Sequence, residues 1–194
     1  MKICIFGYQR SGSSFLNNTL AIQYNLDGIG EIFTGVDPID NSPYDIMKKD
    51  NIVVKIHAHN LISWDFYKID WSIFDQVWII QRKNPTDALC SGYIAAKTNR
   101  YKENAPRQKF TVDMGYFIDW SREMIAFFKY KSEILKIVKD PKFVYYEDIM
   151  TQQSKSEIYS PSNFDYKVDC ENYTELEKRV NYLMSKLENN AAHG

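Results

Sequence analysis

The chain has 194 residues, 44% of them hydrophobic and 25% charged, with a formal net charge of −1. That length fits one domain, 1–194, with a sizeable core and leaves no room for a second. The near-neutral balance supplies no broad basic field, which argues against a nucleic-acid binder, so any anion site must be built from a few aimed residues. Cys4, Cys90 and Cys170 are odd in number and far apart, matching neither a disulfide framework nor a paired-cysteine metal knuckle. Met1 leads directly into a strand-like KICIFG with no signal-peptide pattern, and no window approaches the roughly 20 apolar residues of a membrane span. The expectation is a soluble, cytoplasmic protein.

In chain order, Ile3–Phe6 is an apolar run ending at Gly7, as expected of a buried parallel strand. A loop to Gly12 follows, and from Ser13 the period turns helical, with Phe15, Leu16, Leu20 and Tyr24 on one face. Gly28, Gly30, Gly35, Pro38 and Pro43 mark the next stretch as irregular. Further strands are expected at Ile52–Ile56, Val77–Ile80 and Lys142–Tyr146. Pro85 opens a helix to about Ala96, its missing N–H being harmless in a first turn. Residues 98–112 read as a polar, basic, mobile loop. A long amphipathic helix covers 114–138, carrying Met114, Phe117, Ile118, Ile125, Phe128 and Leu135. Glu147-Asp148 opens another helix, and a last one spans 173–187 with Leu176, Val180, Leu183 and Leu187 on one face. Strands alternating with helices imply an α/β fold, a three-layer parallel sheet flanked by helices.

The first loop carries the clearest chemistry. Strand, Gly7-x-x-x-x-Gly12-Ser13-Ser14, helix is nearly a P-loop, in which backbone N–H groups and a helix N-terminus hold phosphate oxygens. A nucleoside triphosphatase places lysine directly after the second glycine; here that position is Ser13, and the cation is Arg10, inside the loop. Triphosphate cleavage without the lysine lacks a main charge partner, whereas an arginine in the loop suits a phosphosulfate, which needs no divalent metal. A glycine turn opening an ordinary helix would carry the same glycines.

GYQRSGSSFL resembles the 5′-phosphosulfate loop of the PAPS-dependent sulfotransferase superfamily (PAPS is 3′-phosphoadenosine 5′-phosphosulfate), with features of its cytosolic and its bacterial and carbohydrate branches. The resemblance implies the P-loop NTPase-like sulfotransferase fold and transfer of a sulfuryl group to a hydroxyl of a carbohydrate or small molecule, leaving adenosine 3′,5′-bisphosphate. It implies that Arg10 contacts the transferring sulfuryl, that Ser11, Gly12, Ser13 and Ser14 hold the 5′-phosphate, and that Phe15 lies near the adenine. VWIIQRKNPTDALCSGY is similar to the family's 3′-phosphate segment, a strand ending in arginine with a serine eight residues later. Counting back eight from Ser91 reaches Lys83 and not Arg82, so Ser91 with one or both of these cations is expected at that phosphate. Arginine's planar fork favours Arg82 on chemical grounds. Read alone, Arg82-Lys83 is also an ordinary solvated strand end.

Transfer to a hydroxyl requires a group that accepts its proton. Lys55 and His57 share one strand face by period-2 alternation, at the C-terminal end where α/β sheets bind ligands. Lys55-Ile56-His57 resembles the family's K-[TS]-H motif, which makes His57 the base and Lys55 a stabiliser of charge on the sulfuryl or the leaving phosphate. Gly30-Glu31-Ile32-Phe33 resembles the G-E-x-F segment of other members, which makes Glu31 the competing base. His59 joins the same face if the strand runs that far; two histidines at i, i+2 lack an evident third ligand, and no metal is expected. Phe143–Asp148 resembles the family's F-x-x-Y-E-D turn, with Tyr146 near the adenine. The family's late R-K-G-x-x-G segment has no counterpart between Thr151 and Gly194, so the resemblance covers about residues 1–150. Two other readings remain: a small P-loop-type nucleotide kinase, and a degenerate nucleotide-binding module that does no chemistry. In the basic, aromatic segment from Lys97 to Phe110, acceptor selection and a plain solvated loop are both open.

Overall fold

A computed structural model describes residues 1–36, 42–98, 107–153 and 164–192. Five strands form a single all-parallel sheet: β1 (Lys2–Gly7), β2 (Asp27–Glu31), β3 (Ile52–His57), β4 (Gln76–Gln81) and β5 (Lys142–Tyr145), in the order β2-β3-β1-β4-β5. β1 is central, and Ile3, Cys4, Ile5 and Phe6 are wholly buried because both sheet faces are covered. Alternation sends Cys4, Phe6 and Tyr8 to one face, where they join Trp71 and Phe127. Ile3 and Ile5 go to the other, with Phe15, Leu16 and Leu20 of α1 (Ser13–Tyr24), and with Ile80 and Ile149. The expected α/β class and the parallel sheet flanked by helices are therefore what the chain adopts.

The remaining helices are α2 (Ser42–Lys48), the short α3 (Asn60–Ser63), α4 (Pro85–Thr98), α5 (Met114–Ile137), α6 (Tyr146–Gln153), the short α7 (Tyr166–Asp169) and α8 (Tyr173–Ala192), with two 3-10 turns between α3 and β4. Asp113 caps α5 by accepting the Tyr116 N–H at 2.8 Å. Leu176 and Val180 of α8 are buried and Leu183 and Leu187 pack beside them, as their spacing predicts. No helix among the described residues is long and apolar enough to cross a membrane. The three cysteines are free and buried.

Four expectations are corrected. The stretch read as irregular contains strand β2 and helix α2; β2 is an edge strand, mostly exposed, with a register shift between Gly28 and Gly30, so it shows none of the apolar signal of a central strand. α5 lies where its period predicts, with Phe128 buried and Phe117 packed on the core, but Met114, Ile118, Ile125 and Leu135 are exposed, and the buried stripe also runs through Trp120, Met124, Phe127 and Ile134. β3 stops at His57, so His59 lies in the turn before α3 and not on the strand. Of the segment read as a mobile loop, residues 99–106 lie outside the described residues, but 107–112 are tied down. Phe110 donates its N–H to the Asp169 carbonyl and accepts from Glu171, and Arg107 pairs with Asp169 at 2.8 Å.

Candidate functional site

The site forms where β1 ends and α1 begins, on the C-terminal edge of the sheet. Tyr8 turns into the core, and its hydroxyl accepts the Arg82 N–H at 2.9 Å, which ties the loop to the end of β4. The Ser11 N–H closes onto the Tyr8 carbonyl at 3.1 Å. Arg10 and Gly12 both take the left-handed conformation, with φ of 63° and 93°. At Gly12 a side chain is excluded twice over: by that φ, and because a Cβ would sit 2.1 Å from Cδ2 of Tyr146. Arg10 is not a glycine, so its backbone is held in a sparsely populated region, as often found where a loop is shaped for a ligand. The N-cap of α1 is Gly12, which has no side chain to cap the helix, and the Ser11 Oγ beside it is buried with no hydrogen-bond partner among the described residues. A helix N-terminus with an unsatisfied hydroxyl and an arginine beside it makes a cradle suited to an anion.

Two segments far apart in sequence meet here. The Arg10 Nε donates to Oγ of Ser91, on α4, at 3.0 Å. Beside Ser91, Gly92 makes room for Tyr116, whose hydroxyl would lie 2.4 Å from a Cβ there. The Arg82 guanidinium lies 4.1 Å over the Tyr146 ring, a cation–π stack, and 3.6 Å from Glu147. Its Nε is buried and without a partner among the described residues. Lys83 points outward, half exposed, and pairs with Asp148. Alternation explains the split: Ile80 packs on the α1 side of the sheet, and Arg82, two residues on, keeps that direction. Phe15 is 7% exposed and packs among Ile3, Ile5 and Ile149, so its ring belongs to the core on the α1 side.

The candidate bases and their lysine form one cluster below the loop. Lys55 donates to the Ser14 Oγ at 2.7 Å and lies 3.3 Å from Glu31 Oε1. His57 Nε2 is 2.7 Å from the Ser13 Oγ, while its Nδ1 is 3.4 Å from the same Glu31 oxygen without hydrogen-bond geometry. The parallel register pairs Glu31 with Lys55, which explains why the side chains converge. Burial pushes His57 down to about 4; Glu31 opposes this and Lys55 reinforces it, so the ring is neutral at pH 7. Burial alone would raise the Glu31 carboxyl, but His57, the Thr34 hydroxyl and Lys55 outweigh it and hold it below the usual carboxylate range.

One residue that the sequence did not single out, Glu123, completes the surroundings. Glu123, at the middle of α5 and 6% exposed, accepts the Gln9 N–H at 2.8 Å and lies 3.1 Å from His59 Nδ1. The available signal was a carboxylate between Trp120, Met124 and Phe127, on the buried stripe of an amphipathic helix, where a charge needs a partner. A cavity of about 310 Å³ lies on the α5 and α8 side and touches the loop region through Tyr8 and Arg82. Among the described residues no three His, Cys, Asp or Glu side chains gather as a metal site. No protein-family model matches this chain, and neither does any curated protein.

Proposed function

We propose that the chain is a sulfotransferase that binds PAPS and moves its sulfuryl group to a hydroxyl, on the P-loop NTPase-like version of the parallel α/β fold. The observation that carries this reading is the Arg10–Ser91 hydrogen bond, because it brings the expected 5′-phosphosulfate loop and the expected 3′-phosphate serine into one place. Ser13 adds support: where a triphosphatase has its lysine, this chain has a hydroxyl bonded to His57, which disfavours the kinase alternative.

In this reading the α1 N-terminus with Ser11, Gly12, Ser13 and Ser14 holds the 5′-phosphate. Ser91 and the inward-turned Arg82 hold the 3′-phosphate, with Lys83 left outside on Asp148. The Tyr146 ring, stacked on Arg82 and packed over Gly12, borders the adenine. Arg10 and Lys55 flank the sulfuryl, so charge that develops on it and on the leaving phosphate meets fixed cations. His57 and Glu31 are the two bases that the family resemblance names.

Calorimetric titration with adenosine 3′,5′-bisphosphate, alongside ATP–magnesium, tests the reading. Micromolar binding of the bisphosphate, weakened about 10–100-fold in Arg10→Ala by loss of a charge-assisted contact, is the expected result. Preference for ATP–magnesium, or no binding of either, would contradict it.

A further inference from the structure

His59 and Glu123 form a pair that neither the strand motif nor the loop motif includes. The Asn60 Oδ1 accepts the backbone N–H of His57 at 3.3 Å, which turns the Asn60 amide nitrogen toward His59 Nε2, 3.2 Å away. An amide NH2 can only donate, so Nε2 is the bare ring nitrogen and the imidazole proton sits on Nδ1, directed at Glu123 Oε1 at 3.1 Å. A second amide, that of Gln9, lies 3.5 Å from the same Nε2. The result is a neutral imidazole backed by a buried carboxylate, with its lone pair on the side away from that carboxylate. A carboxylate so placed orients the ring and stabilises the imidazolium that forms when it takes a proton.

Access separates this histidine from His57 alone; Glu31, 28% exposed, is as open as His59 and is set apart by its bonds. The His59 side chain is 29% exposed, against 5% for His57, whose Nε2 is already bonded to Ser13. Glu31 is also engaged: one oxygen faces Lys55 and His57, and the other accepts the Thr34 hydroxyl at 2.6 Å. The two imidazole rings are 5.7 Å apart, so His59 borders the same cluster from its open side. Glu123 uses one oxygen for both His59 and the Gln9 N–H, beside Arg10, which fixes the imidazole in register with the loop.

We infer that His59, and not His57 or Glu31, accepts the proton of the acceptor hydroxyl, with Glu123 as its positioning residue. The inference rests on the sulfuryl-transfer reading. As the acceptor oxygen bonds to sulfur, the bond from sulfur to the 5′-phosphate oxygen breaks and its electron pair leaves on adenosine 3′,5′-bisphosphate. The hydroxyl proton passes to His59 Nε2, from which the hydroxyl displaces the Asn60 and Gln9 amides. His57 then serves to hold Ser13 and the loop, and Glu31 to neutralise Lys55.

The test uses ³⁵S-labelled PAPS, following sulfate release to water and transfer to 4-methylphenol, whose hydroxyl keeps its proton at neutral pH, with adenosine 3′,5′-bisphosphate affinity measured on each variant. His59→Ala and His59→Gln should lower both rates by roughly 10²–10⁴-fold, with bisphosphate affinity within about threefold of wild type. Added imidazole should restore part of the His59→Ala rate and none of the His57→Ala rate. Glu123→Gln keeps an acceptor oxygen for both N–H donors and removes only the charge, so it should slow turnover about 10–100-fold at unchanged bisphosphate affinity; a merely structural Glu123 would leave the rate unmoved. Wild-type rates in either His59 variant, or imidazole rescue of His57→Ala instead, would overturn the inference while leaving donor binding intact. Failure of the wild-type protein to bind the bisphosphate would remove the transfer reading itself.

Discussion

His57 and His59 are two residues apart, and their rings lie 5.7 Å from each other, yet they occupy opposite kinds of environment. His57 ends a strand in the sheet interior and is locked between Ser13 and Glu31. His59 sits one turn further, partly open, with a buried carboxylate behind it. Burial decides what each imidazole can do. The interior ring is held neutral and bonds the loop through Ser13, whereas the outer ring is partly exposed, with the Asn60 and Gln9 amides against its Nε2. Residue type alone does not separate the two; the end of β3 does.

The sharpest way to break this contrast is through acid stability. His57 is pushed to about 4 from an ordinary 6.5, so the unfolded chain binds the proton more readily than the folded one. Its contribution to stability is present above pH 6.5 and is lost as pH falls from 6.5 toward 4, by about 3 kcal/mol at most. Glu31, held low, acts in the same direction as the pH drops further. Urea unfolding of His57→Gln at pH 7 and pH 4.5 should therefore show a drop smaller by up to about 3 kcal/mol than wild type. An unchanged drop would mean that the ring is not held neutral.

A smaller effect is expected from Lys55→Met. The ammonium is buried against Ser14 and half-buried Glu31, so its removal should destabilise the protein by about 1–2 kcal/mol and let the Glu31 carboxyl rise. Side-chain carboxyl NMR titration reads the second change directly. Smallest of all, His59→Gln should cost less than about 1 kcal/mol of stability, since its ring is partly exposed and the amide can still donate to Glu123. A large loss there would make His59 a structural residue and weaken its assignment to proton transfer.

The two regions also differ in how far they could be read from the sequence. β1, β3 and β4 announce themselves as apolar runs because a sheet covered on both faces tolerates little else. β2 carries no such signal: as an exposed edge built on Asp27, Gly28 and Gly30, it is defined by its pairing with β3. Four of the six α5 stripe residues were misplaced because apolar residues occur all around that helix, and only packing against Phe6 and Tyr8 selects Phe127 over Ile125. Within the site, strand alternation was enough to put Lys55 beside His57. The sequence left Arg82 and Lys83 both open; the structure turns Arg82 onto Tyr146 and leaves Lys83 outside on Asp148. Glu123 could be flagged as a carboxylate on a buried stripe, but its partner could not: Gln9 is 114 residues away, and the pairing exists only once α5 crosses the loop.

The central claim is that the first loop and Ser91, in the middle of α4, make one site for a nucleotide with a 3′-phosphate. Isothermal titration of wild type and Ser91→Ala with adenosine 3′,5′-bisphosphate and with adenosine 5′-monophosphate tests it most directly. The account predicts that wild type prefers the bisphosphate by about 100-fold or more, and that Ser91→Ala loses about tenfold of that preference while its affinity for the monophosphate is nearly unchanged. Equal affinity of the wild-type protein for the two nucleotides would contradict it.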